Sequence, residues 1–199
     1  MQKELIYMTR EIDFYFDFIS PYTYLAYKKI QSLPENIKIN YKPILLGGLH
    51  NLEGITAPAF IKPKLKHMIS DCYLIAKKSN IDFLWNSRFP LNSLNIMRGY
   101  IFVKPNIKDL YLKVIFDAYW KDNLDISNKK IVMFLLGKCK INISKFFESI
   151  RDPKIKDILK FSTKEAHDKD IFGAPTFIVN DKIFWGQDRL EFALDELKK

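Results

Sequence analysis

Residues 11–19 alternate in character, with Ile12, Phe14, Phe16 and Phe18 on one side and Asp13, Tyr15 and Asp17 on the other. That period of two is the period of a strand. Ser20-Pro21 follows at once, and Tyr22, Leu25, Ala26, Ile30 and Leu33 then recur at helical spacing. Serine is a favoured N-cap and proline is favoured at the first helical position, so the pattern predicts a helix from Pro21 to about Ser32. After Pro34 and Asn36, residues Ile37, Ile39 and Tyr41 alternate again as far as Pro43. Strand, helix and strand in so short a stretch make a β-α-β unit, and its crossover requires the two strands to be parallel.

The middle of the chain has helical periodicity. Leu65, Met68, Ile69, Cys72, Ile75 and Ala76 form one apolar stripe, and Ile107, Leu110, Tyr111, Val114, Ile115 and Ala118 form another. Each predicts a helix with one face turned inward. Shorter helices are predicted around 92–103, 128–137 and 144–151, and a long one through Ile155, Ile158, Leu159, Ser162 and Ala166. The end returns to strands: Thr176–Val179 and Lys182–Trp185 flank the turn pair Asn180-Asp181 and read as a hairpin. Leu190, Ala193, Leu194 and Leu197 predict a closing helix. The order β-α-β, helices, β-β-α gives an α/β fold: a thioredoxin-like domain from residues 11–50 and 172–199, with an inserted all-helical domain over 51–171.

Such a chain can bury a large core, since 48% of its residues are hydrophobic and 16 are Phe. No run approaches the roughly 18 apolar residues of a membrane span, and no signal-peptide core stands near the N-terminus, so a cytoplasmic protein with no membrane partner is expected. The net charge of +9 raises the question of nucleic acid. The basic residues are nearly all lysines spread along the chain, and no zinc-finger or aromatic RNA-binding motif is present, so no nucleic-acid partner is expected. Cys72 and Cys139 stand far apart, outside any C-x-x-C or metal-ligand spacing, and read as buried reduced thiols. No metal is expected. His67 and His167 read as surface residues, and no sequence feature pairs either with Ser20 as a hydrolase would require.

Three local features carry chemistry. In Asp17-Phe18-Ile19-Ser20-Pro21-Tyr22-Thr23, Ser20 stands at a strand-to-helix junction, where backbone N–H groups favour an anion. A dithiol oxidoreductase carries Cys-x-x-Cys at such a junction. Here the two positions are Ser20 and Thr23, and hydroxyls form no disulfide. In Phe172-Gly173-Ala174-Pro175-Thr176-Phe177 the proline directly precedes a strand, the place of a cis proline in thioredoxin-like folds, with the Ala174 backbone free to pair with a ligand. In Trp185-Gly186-Gln187-Asp188-Arg189-Leu190 a loop leads into a helix that could hold a carboxylate, with Asp188 taking an ammonium. Read one at a time, these are equally a helix N-cap, an ordinary trans proline and a second helix cap.

Taken together, the words Asp13-Phe14-Tyr15-Phe16-Asp17-Phe18-Ile19-Ser20-Pro21-Tyr22, Pro43-Ile44-Leu45-Leu46-Gly47-Gly48, Arg88-Phe89-Pro90-Leu91-Asn92-Ser93, Phe172 to Phe177 and Trp185 to Leu190 lie in the order of a known family. The chain resembles the 2-hydroxychromene-2-carboxylate isomerases and kappa-class glutathione transferases, within the disulfide-oxidoreductase-like thioredoxin folds. The resemblance implies a glutathione-dependent isomerase acting on a small aromatic or electrophilic molecule, or a transferase or non-catalytic glutathione binder of the same fold, working as a homodimer. It implies Ser20 as the catalytic residue that holds the glutathione sulfur. Ala174, beside the cis proline Pro175, would bind the cysteinyl backbone. Trp185, Gly186, Gln187 and Asp188 would form the γ-glutamyl loop, and Asn92 would reach the site from the helical domain. The loop His50-Asn51-Leu52-Glu53-Gly54-Ile55 departs from the family pattern: Asn51 or His50 stands where relatives carry a lysine, and Ile55 where they carry an asparagine. Asn51 is accordingly placed among the glutathione-binding residues.

Overall fold

In a computed structural model, which describes residues 10–199, the alternating segment is a strand, Arg10–Phe16 (β1). It is followed by the helix Pro21–Ile30 (α1) and the strand Ile37–Pro43 (β2). β1 and β2 run parallel, in register from Arg10 opposite Ile37 to Phe16 opposite Pro43. The hairpin strands Thr176–Val179 (β3) and Lys182–Trp185 (β4) complete a four-stranded mixed sheet in the order β2-β1-β3-β4, with β3 antiparallel to β1. The helix Leu190–Glu196 (α9) closes the chain. This is the α/β thioredoxin arrangement expected from the strand and helix order.

Between β2 and β3 lie α2 (Leu46–Glu53), a 3-10 turn at Pro58–Phe60, α3 (Lys62–Lys78), α4 (Leu94–Phe102), α5 (Pro105–Trp120), α6 (Lys129–Lys138), α7 (Ile143–Ser149) and α8 (Pro153–Asp168). Six of the seven helices follow the apolar periodicities. The seventh, α2, corrects the sequence reading, which took residues 50–55 as a loop. A boundary drawn after residue 50 therefore passes through a helix. Two glycines, Gly47 and Gly48, cost helix propensity there, and Leu45 at the N-cap position has no capping side chain. The helix is held from outside its own sequence. The Thr163 hydroxyl of α8 accepts from the Leu45 N–H at 3.0 Å, and the Asp17 carboxylate accepts from the Leu46 N–H at 2.9 Å.

The sheet is covered on both faces. Ile12, Phe14, Phe16 and Phe177 bury one face against α1 and α5. The ring of Phe16 meets Tyr100 edge-on at 5.0 Å, and that of Phe18 lies 4.6 Å from Phe116, so aromatic contacts join the sheet to α4 and α5. Tyr15 points the other way and is buried with Ile44, Leu49, Ala166 and Ile171, under α2 and α8. Strand geometry stops at Phe16, not Ile19: the Ser20 N–H returns to the Asp17 carbonyl at 3.2 Å, and Asp17 turns inward.

Gly99 of α4 sits where a methyl group would overlap the Phe146 ring and the Tyr111 hydroxyl, which itself donates to the Ile96 carbonyl at 2.9 Å. Gly99→Ala is expected to destabilise the fold by about 1–3 kcal/mol through overpacking, read as a lower midpoint in urea unfolding. An unchanged midpoint would show that this contact relaxes freely.

Candidate active site

Ser20 is the N-cap of α1, and its Oγ accepts from the Thr23 N–H at 3.1 Å. The same hydroxyl donates to the carbonyl of Ala174, 154 residues away, at 2.9 Å. The Ala174–Pro175 peptide bond is cis, and so is Phe89–Pro90. The Pro175 carbonyl in turn accepts from the Gly186 N–H at 2.9 Å. This chain of bonds brings Ser20, Ala174, Pro175 and Gly186 to one place at the start of a ten-residue helix, whose N-terminus favours negative charge. Ser20 is only 5% exposed. Its turn is anchored from the helical segment as well, because the Trp120 indole N–H donates to the Phe18 carbonyl at 2.8 Å.

The loop before α9 closes the other side. Gly186 adopts a φ of +116°, and a Cβ there would come within 2.6 Å of Asp188 Oδ1, so glycine is needed both for the turn and for the carboxylate folded over it. Asp188 also accepts from Arg189 at 2.7 Å in an exposed pair of small energetic weight. The Trp185 indole nitrogen would come within 2.6 Å of a Cβ on Gly173, and the ring lies 4.8 Å from Phe172, so it forms a half-open aromatic wall beside Ala174. Gln187 is nearly buried, and its Oε1 accepts from Lys29 Nζ at 2.6 Å. Burial pushes the Lys29 ammonium down, while Glu191 and Asp188 act against that shift.

Two of the expected residues stand apart. Asn92 is exposed, and its Oδ1 accepts from the Leu94 N–H at 2.9 Å, opening α4. Its neighbour Ser93 is the buried one, and it faces Asp17. Asn51 lies on α2 at the wall of a separate cavity that none of the other expected site residues lines.

Sequence reasoning passed over Asp17 and Lys29. The strand period sent Asp17 outward, yet it is 0% exposed, and its two oxygens accept from the Ile19 and Leu46 N–H groups at 3.1 and 2.9 Å. Burial raises its carboxyl above the usual carboxylate value, although the Ser93 hydroxyl and the two N–H groups pull the other way. Its place inside the Ser20 motif was the one available signal. Lys29 carried none, being one of many lysines spread along the chain. Thr23, at the second position of the Cys-x-x-Cys spacing, is fully buried, and its hydroxyl has no partner among the described residues. Both cysteines are buried far from Ser20 in sequence, and burial holds the Cys139 thiol up at about 11.

The profile of the DSBA-like thioredoxin domain matches residues 11–198. The chain belongs to the DSBA-like thioredoxin family. Among curated relatives, this DSBA-like chain is 28% identical over 189 residues to a 2-hydroxychromene-2-carboxylate isomerase of Sphingobium xenophagum, covering 93% of this chain and 96% of that protein. It is 26% identical over 207 residues to a glutathione S-transferase kappa 1 of Caenorhabditis elegans, covering 94% and 91%. The solved structure of a 2-hydroxychromene-2-carboxylate isomerase superposes with a TM-score of 0.86 at 23% identity, over 94% of each chain, which establishes the shared fold. These are the relatives that the sequence motifs pointed to. Where disulfide-exchanging members of such a fold need two thiols, this DSBA-like chain offers Ser20 and Thr23. Among the described residues no helix is long and apolar enough to cross a membrane, and no group of three or more His, Cys, Asp or Glu side chains could hold a metal ion.

Proposed function

We propose that the protein is a glutathione-dependent isomerase of the 2-hydroxychromene-2-carboxylate type. The observation that carries this reading is the Ser20 hydroxyl at the start of α1, bonded across to the Ala174 carbonyl beside cis Pro175, with a hydroxyl in each place where a dithiol enzyme has sulfur. The names of the relatives support it.

The residues present fit glutathione. Among the described residues the Ala174 N–H makes no hydrogen bond, and its carbonyl takes only the Ser20 hydroxyl, so this backbone unit is available to a peptide-like ligand. Glutathione, when bound, supplies a thiol able to add reversibly to a conjugated double bond and to leave again. The Ser20 hydroxyl would turn its proton from the Ala174 carbonyl to the sulfur. With the positive end of α1, it would hold negative charge there in a site where burial strengthens that interaction. A thiol titrates near ~8.5 in water, so this stabilisation is what brings thiolate within reach of neutral pH. Ala174 would pair with the cysteinyl amide through its N–H and carbonyl. Asp188 would take the γ-glutamyl ammonium by leaving its exposed pair with Arg189, and Lys29 would hold Gln187 so that the loop keeps its shape. Trp185 would wall the site. The reading takes the protein to work in the cytoplasm as a homodimer.

Calorimetric titration with glutathione tests it. Wild type is expected to bind, and Asp188→Ala to bind at least tenfold more weakly, the loss of one charge-assisted hydrogen bond, about 1.5 kcal/mol or more. No heat of binding up to millimolar glutathione would remove the co-substrate from the proposal. Absorbance assays then separate the chemistries. Glutathione-dependent interconversion of 2-hydroxychromene-2-carboxylate with its ring-opened isomer supports the isomerase. A thioether accumulating from 1-chloro-2,4-dinitrobenzene without isomerisation would make the protein a kappa-type transferase, the reading that the Caenorhabditis elegans relative favours.

A further inference from the structure

A cavity of about 740 Å³ opens between α2, α4 and α8. Its volume falls within the roughly 300–1,000 Å³ of sites that hold small organic ligands. Leu45 and Gly48 form one wall, Leu94 a second, and Leu159 and Phe161 a third, so most of the lining is apolar. Phe161 is an exposed large hydrophobic residue, left open to solvent at the rim of this space. Neither Ser20, Ala174, Pro175 nor the 185–188 loop contributes to it. It is therefore separate from the site described above, although Leu45 and Leu94 adjoin Leu46 and Ser93, which bracket Asp17.

One charged side chain is set into this apolar lining. Arg98 of α4 borders the cavity, its Nε is buried, and among the described residues that nitrogen has no hydrogen-bond partner. No acidic side chain pairs with its guanidinium among the described residues. A buried guanidinium nitrogen without an acceptor is costly, and native structures seldom leave one so unless something else completes it. The remaining charges at the cavity are Lys156, Lys160 and Lys164 on α8, the last paired with Asp168, and a single carboxylate, Asp157. The balance is positive.

We propose that this cavity binds an amphipathic monoanion, an apolar body ending in a carboxylate or sulfonate, with Arg98 as its counter-charge. The apolar walls take the body, and the planar guanidinium offers paired N–H donors matched to two oxygens of the acid group. Lys160 and Lys156, exposed on α8, add long-range attraction but no fixed contact.

The test is a fluorescence titration of the full chain with 8-anilinonaphthalene-1-sulfonate, an apolar ring system carrying one sulfonate. Saturable binding of one dye per chain is expected, with dodecanoate or 2-naphthoate displacing it and neutral 2-naphthol doing so poorly. Displacement by dodecanoate but not 2-naphthoate assigns a chain-like ligand, and the reverse a ring. Arg98→Gln is expected to weaken the dye at least tenfold and Lys160→Gln only about twofold to threefold, the difference between a half-buried charge in the cavity lining and one standing in solvent. Leu94→Trp, which fills the cavity without touching a charge, is expected to block the dye and keeps the test valid should Arg98→Gln fail to fold. Glutathione titrations of the folded variants are expected to match wild type, so this result stands apart from that of the glutathione site. Absence of saturable binding, or dye bound by Arg98→Gln or Leu94→Trp as by wild type, overturns the proposal. So does a dimer in sedimentation velocity that Arg98→Gln dissociates and that binds dye only once dissociated, because the cavity would then belong to a subunit interface.

Discussion

Ser20→Ala is expected to lower kcat/KM for the glutathione-dependent reaction by about 10²–10³-fold, the cost of removing one preorganised donor from a developing anion. Glutathione affinity is expected to stay within about fivefold, because affinity on this reading comes from the Ala174 backbone and the 185–188 loop, and loss of one neutral hydrogen bond is worth about 1 kcal/mol or less. The substitution also removes the acceptor of the Thr23 N–H and the donor to the Ala174 carbonyl. Stability should therefore fall by about 1 kcal/mol, the usual value of an N-cap, and unfolding in urea measures that separately from activity. The pH–rate profile gives a readout that a purely structural role would not move: without the hydroxyl, the acid-side limb, where the rate rises as the bound thiol ionises, should shift to higher pH. Ser20→Cys sharpens the distinction, since Thr23 gives a new thiol no partner at the dithiol spacing and no insulin-reducing activity should appear. A turnover within threefold of wild type in Ser20→Ala would return Ser20 to the role of a helix cap.

Asp17→Ala is expected to destabilise the fold by about 3–4 kcal/mol, since it strands two N–H groups in a buried place at roughly 1–3 kcal/mol each, offset by release from burying a carboxyl. The Leu46 N–H at the start of α2 loses its side-chain acceptor, and the Ile19 N–H loses the bond that shapes the turn before Ser20. The pH dependence has a definite sign. The folded carboxyl titrates above its unfolded value, so between those two values the folded state holds more protons than the unfolded. The contribution of Asp17 to stability is then complete below the unfolded pKa and declines as pH rises through the folded one. Urea titrations from pH 3.5 to 8, values chosen to bracket the carboxylate range near ~3.9, should show the gap between wild type and Asp17→Ala narrowing as pH rises. A gap that widens with pH would mean that the two N–H donors and the α2 dipole outweigh desolvation, and the carboxyl would then be an anion held for its charge.

The strands, the turn of the hairpin and most helices were legible because their signals are local. Phe14 and Phe16 must share a face whatever surrounds them, and Ser20-Pro21 opens a helix by its own covalent geometry. The motifs that carry the family resemblance lay in recognisable order for the same reason: each is a short segment whose residues meet their neighbours in sequence. Asp17 was misplaced because a strand period was carried through the turn that leads into α1.

The α2 helix shows the limit from the other side. Leu45-Leu46-Gly47-Gly48 holds neither a cap nor good propensity, and the groups that supply what it lacks come from residues 17 and 163. Asn51, placed by its segment in a glutathione site, sits on another cavity once that helix forms. Sequence alone therefore determined the order of the strands and of every helix but α2, the burial of one sheet face and the absence of a dithiol at the α1 start. Tertiary structure alone decided that the second sheet face lies under α8, that Ser20 meets Ala174 and Lys29 meets Gln187, and that Arg98 Nε has no hydrogen-bond partner among the described residues. The division has one physical reason: backbone propensity and hydrophobic period act over a few residues, whereas a hydrogen bond across more than a hundred exists only after the core has brought its ends together.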